Sequence, residues 1–340
     1  MNHQSVSVIT VRILYILGRA LVMNVIYIFG ISVFATHCLG ANPKLPKTIG
    51  VGTKKHMSEQ FKDQQGYFAF VQNSGDVDYL RLAYLQALSI KATQRINNYA
   101  IAVDENTKAQ ITDKHRAVFD YIVDIPFGDD AADDEWKLAN AWKLYYATPF
   151  KETVNLDVDM IFTRDVSHWW DHMRAKDICI TTNVLDYRGN LITDRRFRKV
   201  FDDNNLLNTY NGFSYFRYSK TMADFFVSAR GIFQDWPLFR DNLLKNCRIE
   251  KPTTDEVYAL AAMLTGEERC YIPGVQPTFV HMKPELQGFH SNRWTDMTSW
   301  TLTEDMDFIV GGYYQMIPFH YQQKDFCSDE LIGRYEAFIF

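Results

Sequence analysis

Val154-Asn-Leu-Asp157-Val-Asp159-Met-Ile-Phe162 is an apolar run interrupted by two carboxylates at i and i+2. Its aliphatic residues read as the end of a buried strand, and in a strand that spacing sends both acidic side chains to one face. Two anions held so close repel each other unless a cation lies between them. The pattern therefore predicts a site for a hard cation, Mn²⁺ or Mg²⁺, with Asp157 and Asp159 as ligands. In the plainer alternative, Asp157 merely ends the strand and Asp159 starts a turn.

Outward from this run, Tyr67–Gln72, Tyr99–Val103 and Phe119–Val123 have the β-branched and aromatic content of further strands. Between them Leu80, Ala83, Tyr84, Ala87 and Leu88 recur at helical spacing, and Asn106–Arg116 is a second helical candidate. A third helix is predicted from the acidic start Asp133-Asp-Glu135 through Leu138, Ala141, Trp142 and Tyr145 to Thr148-Pro149. Strands alternating with helices give an α/β fold with a doubly wound, mostly parallel sheet, whose ligands sit beyond the carboxyl ends of the strands. No G-x-G-x-x-G follows the first strand and no Gly-Lys-Ser/Thr occurs, so neither a dinucleotide fingerprint nor a P-loop is available to hold phosphates.

Composition narrows the function classes. A formal charge of −5 with 47% hydrophobic residues describes a chain that buries a real core and carries no polyanion-binding excess. A polymerase or nuclease, which also uses paired aspartates, would need a larger basic surface than this. Five dispersed cysteines form no Cys-x-x-Cys pair and no disulfide framework, so reduced thiols and a cytoplasmic setting are expected.

Residues 1–57 form a separate object. The stretch 13–35 carries no charge but Arg19 and is long enough to span a bilayer. Lys44, Lys47, Lys54 and Lys55 follow it, which would leave the folded part in the cytoplasm as a membrane-anchored protein. A dispensable extension, with translation starting at Met23 or Met57, and a cleaved signal are the alternatives. Residues 41–57, with their prolines and glycines, read as a linker, and 58–340 as a single catalytic domain with a C-terminal extension.

Over roughly residues 66–285 the chain resembles the GT-A glycosyltransferases, most nearly the family 8 type. The resemblance is carried by order and spacing: the first strand with Gln72, Asn73 and Tyr79, then Ala102-Val-Asp104, then Lys143 leading into Thr148-Pro-Phe-Lys151, then Leu156-Asp-Val-Asp-Met160. Tyr210-Asn-Gly-Phe-Ser-Tyr-Phe216 and Thr254-Asp-Glu256 complete it. It implies a GT-A (Rossmann-like) fold, a metal-held, UDP-linked nucleoside diphosphate sugar donor, and retention of anomeric configuration. Asn73 and Tyr79 would meet the base, Asp104 the ribose or base, and Lys143 the donor phosphates or sugar. Asn211, Asp255 and Glu256 would face the donor sugar as catalytic residues, the last replacing the family's Gln; by their chemistry alone Asp255 or Glu256 could equally be the base of an inverting reaction. Thr253 and Glu256 also read, from local physics alone, as a capping box opening a helix over Val257–Leu264.

The family takes a third metal ligand from a C-terminal His, with a Lys a few residues on for the diphosphate. His281 with Lys283 and His320 with Lys324 both compete for these roles, and neither has the family's His-x-x-Gly-x-x-Lys spacing. The reading prefers His281, which follows an apolar run. Arg188, Arg195, Arg196, Arg198 and Lys199 make a cationic stretch that is either a solvated surface or the approach for an anionic acceptor: a phosphorylated glycan, a lipid-linked phosphate or a modified DNA base. The rival to an active transferase is a catalytically decayed GT-A-fold sugar- or nucleotide-binding protein.

Overall fold

The structure, a computed structural model, describes residues 61–193, 195–272 and 277–340. The expected anchor at 13–35 and linker at 41–57 lie outside the described residues. Among the described residues no helix is long and apolar enough to cross a membrane.

The expected doubly wound, mostly parallel α/β sheet is present. Six strands run in the order β3-β2-β1-β4-β7-β6. They are β1 (Asp63–Val71), β2 (Tyr99–Val103), β3 (Tyr121–Asp124), β4 (Phe150–Leu156), β6 (Ile178–Ile180) and β7 (Phe213–Arg217). All run in one direction except β7, which is antiparallel to both β4 and β6. That reversal positions the site. Leu156 at the end of β4 pairs with Phe213 at the start of β7, so Asn211-Gly212 lies beside Asp157.

The alternation of side chains along β1 divides the core in two. Tyr67, Ala69 and Val71 join the cluster under helix α1 (Tyr79–Thr93), whereas Phe68 joins the cluster on the opposite face under α2 (Lys220–Gln234) and α4 (Thr254–Thr265). Burying each such side chain stabilises the fold by roughly 1.5–3 kcal/mol relative to exposure. Gly66 permits the close packing of β1 on β4, because a Cβ there would lie 2.5 Å from the Phe150 ring. The short α3 (Trp236–Leu243) follows α2, and the C-terminal α5 (Asp329–Ile339) packs on α1.

Helix starts follow their caps. Asp78 accepts from the Arg81 amide at α1, and Ser219 from Met222 at α2. The capping box at α4 forms, with Glu256 accepting from the Thr253 amide at 2.8 Å. Two elements depart from expectation. Asn106–Arg116 is two short helices, Glu105–Lys108 and Asp113–Arg116, and the third predicted helix is a 3₁₀ stretch, Lys137–Lys143, followed by a single turn, Leu144–Ala147.

A second, small sheet joins distant parts of the chain. β5 (Met160–Ile161) pairs with β12 (Phe319–His320), which pairs with β8 (Val280–His281). His320 lies opposite both Met160 and His281. A three-stranded hairpin sheet, β9 (Trp300–Leu302), β10 (Phe308–Val310) and β11 (Tyr313–Tyr314), completes the C-terminal extension.

Candidate active site

Asp157 leaves β4, Asp159 enters β5, and the strand pairing of β5 with β12 brings His320 over both. Their ligand atoms all lie within 4.8 Å of one another. His320 Nε2 is 3.1 Å from Asp159 Oδ2 and 3.9 Å from Asp157 Oδ2. The backbone holds this geometry from two sides: the Asp157 amide donates to the Gly212 carbonyl, and the Tyr321 amide donates to the Asp159 carbonyl, each at 3.0 Å. Gly212 admits the close approach, since a Cβ there would be 3.3 Å from Asp157 Oδ2, 3.4 Å from His320 Nδ1 and 3.1 Å from the Phe279 ring. Beyond β12 the chain turns at Gln322, which has φ 55°, and returns Lys324 to donate to Asp159 Oδ2 at 2.5 Å.

The electrostatics follow from burial and this crowding. Burial alone would raise Asp159, but His320 and Lys324 together pull it far below the usual carboxylate range. Burial pushes Asp157 up to about 6, with His320 opposing and Asp159 adding to the push. Since 44% of the Asp157 side chain stays open to solvent, water screens part of that push. Burial works against charge on His320 and Lys324, yet Asp159 outweighs it and raises both. Two carboxylate oxygens and an imidazole nitrogen, on a buried base and open on one side, fit a divalent ion such as Mn²⁺.

His281 is a neighbour of this cluster and lies outside it. Its ring stacks on that of His320 at 4.8 Å with 4° between planes, and burial, reinforced by His320, holds it neutral, well below the usual histidine range. Strand register explains why spacing alone could not separate the two histidines: they are opposite one another on adjacent strands.

Asp157, Asp159 and His320 line a cleft of about 370 Å³ together with Gln72, Tyr79, Trp136, Asn155, Asn211 and Lys324. The structure thus brings together Tyr79, Asp157, Asp159, Asn211, His320 and Lys324. The Tyr79 ring centre is 5.7 Å from Lys324 Nζ. Asn211 lines the cleft, and its Oδ1 accepts from Ser214 Oγ at 2.5 Å.

Other predicted residues spend their polar groups on the protein. Asn73 accepts from the Leu80 amide and donates to Gln110. Asp104 caps the short helix after β2, accepting from Thr107 at 2.7 Å and from Gln72. Lys143 is fully buried, its ammonium donating to Gly128 and Asn140 and lying 3.2 Å from Asp130, so it fixes the 128–140 loop instead of facing the cleft. Lys283 lies over the Phe197 ring. Glu256 is occupied by its capping box, and burial, with Asp255 adding, raises its pKa.

Asp255 has a partner that the sequence reading assigned to the surface. Arg198 is 9% exposed and donates to Asp255 Oδ2 at 2.7 Å, to Asn208 Oδ1 at 2.9 Å and to the Thr209 carbonyl, with its guanidinium over the Phe201 and Tyr210 rings. The other Asp255 oxygen accepts from the Asn211 amide at 2.8 Å. Arg198 therefore leaves the cationic run and becomes an interior clamp, and Arg195 pairs with Asp202. The aromatic residues Phe201 and Tyr210, near it in sequence, were the available signal. A second cavity, of about 630 Å³, opens where Thr182, Asn183, Arg195, Asn208, Glu267 and Tyr271 meet.

No family model matches the chain, and no curated protein matches it. Similar solved structures include the galactosyltransferase LgtC in complex with donor and acceptor sugar analogs, at 13% identity, covering 81% of this chain and 95% of that one, with a TM-score of 0.45. Mouse xyloside xylosyltransferase 1 is 8% identical over 62% of this chain and 84% of its own, TM-score 0.40. The glycosyltransferase GlyE of Streptococcus pneumoniae is 13% identical over 62% and 45%, TM-score 0.36.

Proposed function

We propose that the protein is a metal-dependent glycosyltransferase that takes a sugar from a nucleoside diphosphate sugar, UDP-linked, and passes it to an acceptor with retention. The observation that carries this reading is the convergence of Asp157, Asp159 and His320 with Lys324 in a cleft also lined by Tyr79 and Asn211. Asp157, Asp159 and His320 would hold Mn²⁺ or Mg²⁺, which would supply charge neutralisation for a leaving diphosphate.

The chain's own residues do the rest. Lys324 would exchange its contact with Asp159 for a phosphate oxygen and so bind the diphosphate. Tyr79 presents an aromatic face to the base. The Asn211 amide hydrogens orient the sugar, and the Arg198–Asp255 clamp fixes Asn211 through its backbone. Trp136 and Leu138 give the cleft an apolar wall for the donor to pack against. The second cavity, with amides, hydroxyls and one charge of each sign, suits a polyhydroxylated acceptor, and an anionic group on it would meet Arg195. A membrane-bound acceptor would suit an anchor at residues 13–35 with the catalytic body on the cytoplasmic side.

The test is a thermal-shift screen of nucleotide sugars with and without Mn²⁺, followed by donor hydrolysis. UDP-sugars should raise Tm only with the metal and be hydrolysed slowly, and Asp157→Ala and Asp159→Asn should lose both effects. Stabilisation by nucleotide sugars that ignores the metal, with no hydrolysis, would instead establish a binding protein on a decayed transferase scaffold.

A further inference from the structure

We propose that Gln86 is a positioning residue that sets the spacing of Asp157 and Asp159 for a metal ion; the inference deepens the metal-site reading above. Gln86 lies in the middle of α1 and is 0% exposed. A buried primary amide is costly unless its hydrogen bonds are made. Here they are made to one short segment: Nε2 donates to the Asp157 carbonyl at 2.7 Å and to the Met160 carbonyl at 3.1 Å. Its Oε1 accepts from the Tyr99 hydroxyl at 2.5 Å.

The orientation of the amide follows from chemistry. Two carbonyls can only accept, so they require the NH₂ side, and the one Tyr99 proton then goes to Oε1. Gln86 thus grips the backbone at both ends of the Asp157–Met160 segment that projects the carboxylates. Gly212 and Tyr321 grip its other side through the Asp157 amide and the Asp159 carbonyl. The turn is held open-jawed, with its two acidic side chains facing His320, and β2 fixes the grip through Tyr99.

Ser89, one turn later on α1 and equally buried, supplies the control. Its hydroxyl accepts from the Phe162 amide at 3.0 Å and donates to the Gln86 carbonyl at 2.7 Å. It ties the same chain segment to the same helix, but beyond the carboxylates.

The experiment measures Mn²⁺ affinity by calorimetry, and amide hydrogen exchange at Asp157 and Tyr321, in the full chain. Gln86→Met should weaken Mn²⁺ binding about 10- to 100-fold, as loss of an outer support does at metal sites, and accelerate exchange at both amides. Ser89→Ala should lower Tm while leaving Mn²⁺ affinity within about twofold of the parent, since it touches neither end of the Asp157–Met160 segment. If Gln86→Met does not fold, Gln86→Glu keeps the volume but offers at most one donor, on the neutral acid, to the two carbonyls, and losses in the same direction are expected. The proposal is overturned if the Gln86 variants bind Mn²⁺ within twofold of the parent, or if Ser89→Ala loses as much affinity as they do. Should the parent itself bind no Mn²⁺, the metal reading falls, and Gln86 is judged on exchange alone: unchanged rates at Asp157 and Tyr321 in the folded variant refute the positioning role.

Discussion

Replacing Arg198 by Met tests whether the clamp beneath Asn211 is structural in the way its geometry implies. The side chain is 9% exposed, and its partner Asp255 keeps 22% of its side chain in solvent. Breaking a buried ion pair from one side costs about 3–5 kcal/mol, because the remaining charge is stranded. Asp255 retains some water and the Asn211 amide, which places this term near 3 kcal/mol; the orphaned Asn208 and Thr209 oxygens add about 1 kcal/mol more. A loss of about 4 kcal/mol corresponds to a fall in Tm of about 8 °C for a body of this size. Arg198→Lys, which keeps the charge but lacks the fork, should lose about half as much. The decisive comparison is the double variant Arg198→Met/Asp255→Leu. Removing both charges leaves none stranded, so it should recover at least 2 kcal/mol relative to the sum of the single variants. Denaturant melts of all four proteins give the cycle. A Tm for Arg198→Met within 2 °C of the parent, or strictly additive single variants, would refute the reasoning.

Three further outcomes follow from other parts of the molecule. Asp157 has a folded-state pKa raised to about 6, so its charge opposes folding above that pH and is harmless below the ordinary carboxylate value; in metal-free buffer Asp157→Asn should therefore raise Tm at pH 7.5 and leave it unchanged near pH 4, and a gain of equal size at both would show that ionisation is not the cause. Gly66→Ala should destabilise by about 1–3 kcal/mol through overlap with the Phe150 ring, and Gly66→Ala/Phe150→Leu should regain most of it, as read from urea midpoints. A chain starting at Met57 should remain soluble and bind Mn²⁺ as the full chain does, because contacts of the described body begin at Phe61 on Tyr218 and Lys62 on the Pro149 carbonyl; aggregation or lost binding would tie the first fifty-odd residues to the fold.

The strands were legible because each is short, apolar and bounded, and the Asp-x-Asp pair because its chemistry is local. The antiparallel β7 was not, since the direction of a strand leaves no trace in its composition. His281 and His320 were inseparable for a related reason: each follows an apolar strand, and only the register of β5, β12 and β8 decides which ring hangs over Asp159. Lys143 and Arg198 misled in opposite ways. A lysine next to a family-like Thr-Pro-Phe-Lys run suggested a ligand, yet its carbonyl partners lie in the 128–140 loop, invisible to spacing. An arginine among four other cations looked solvated until the fold placed Asp255 against it. Gln86 left little signal, because residues 82–90 of α1 are buried on every side and no face distinguishes a polar grip from core.

The small sheet β5-β12-β8 also imposes an order of events on the nascent chain. Asp157 and Asp159 emerge from the ribosome well ahead of their imidazole and ammonium partners, which lie on β12 and the turn after it, just before α5 docks on α1 through Arg81–Asp329 and Tyr84–Glu336. Until then two acidic side chains stand together without His320 or Lys324 to settle them. A chain cut short anywhere before Lys324 thus lacks part of the proposed ion site, so that competence waits on the segment from His320 to Lys324.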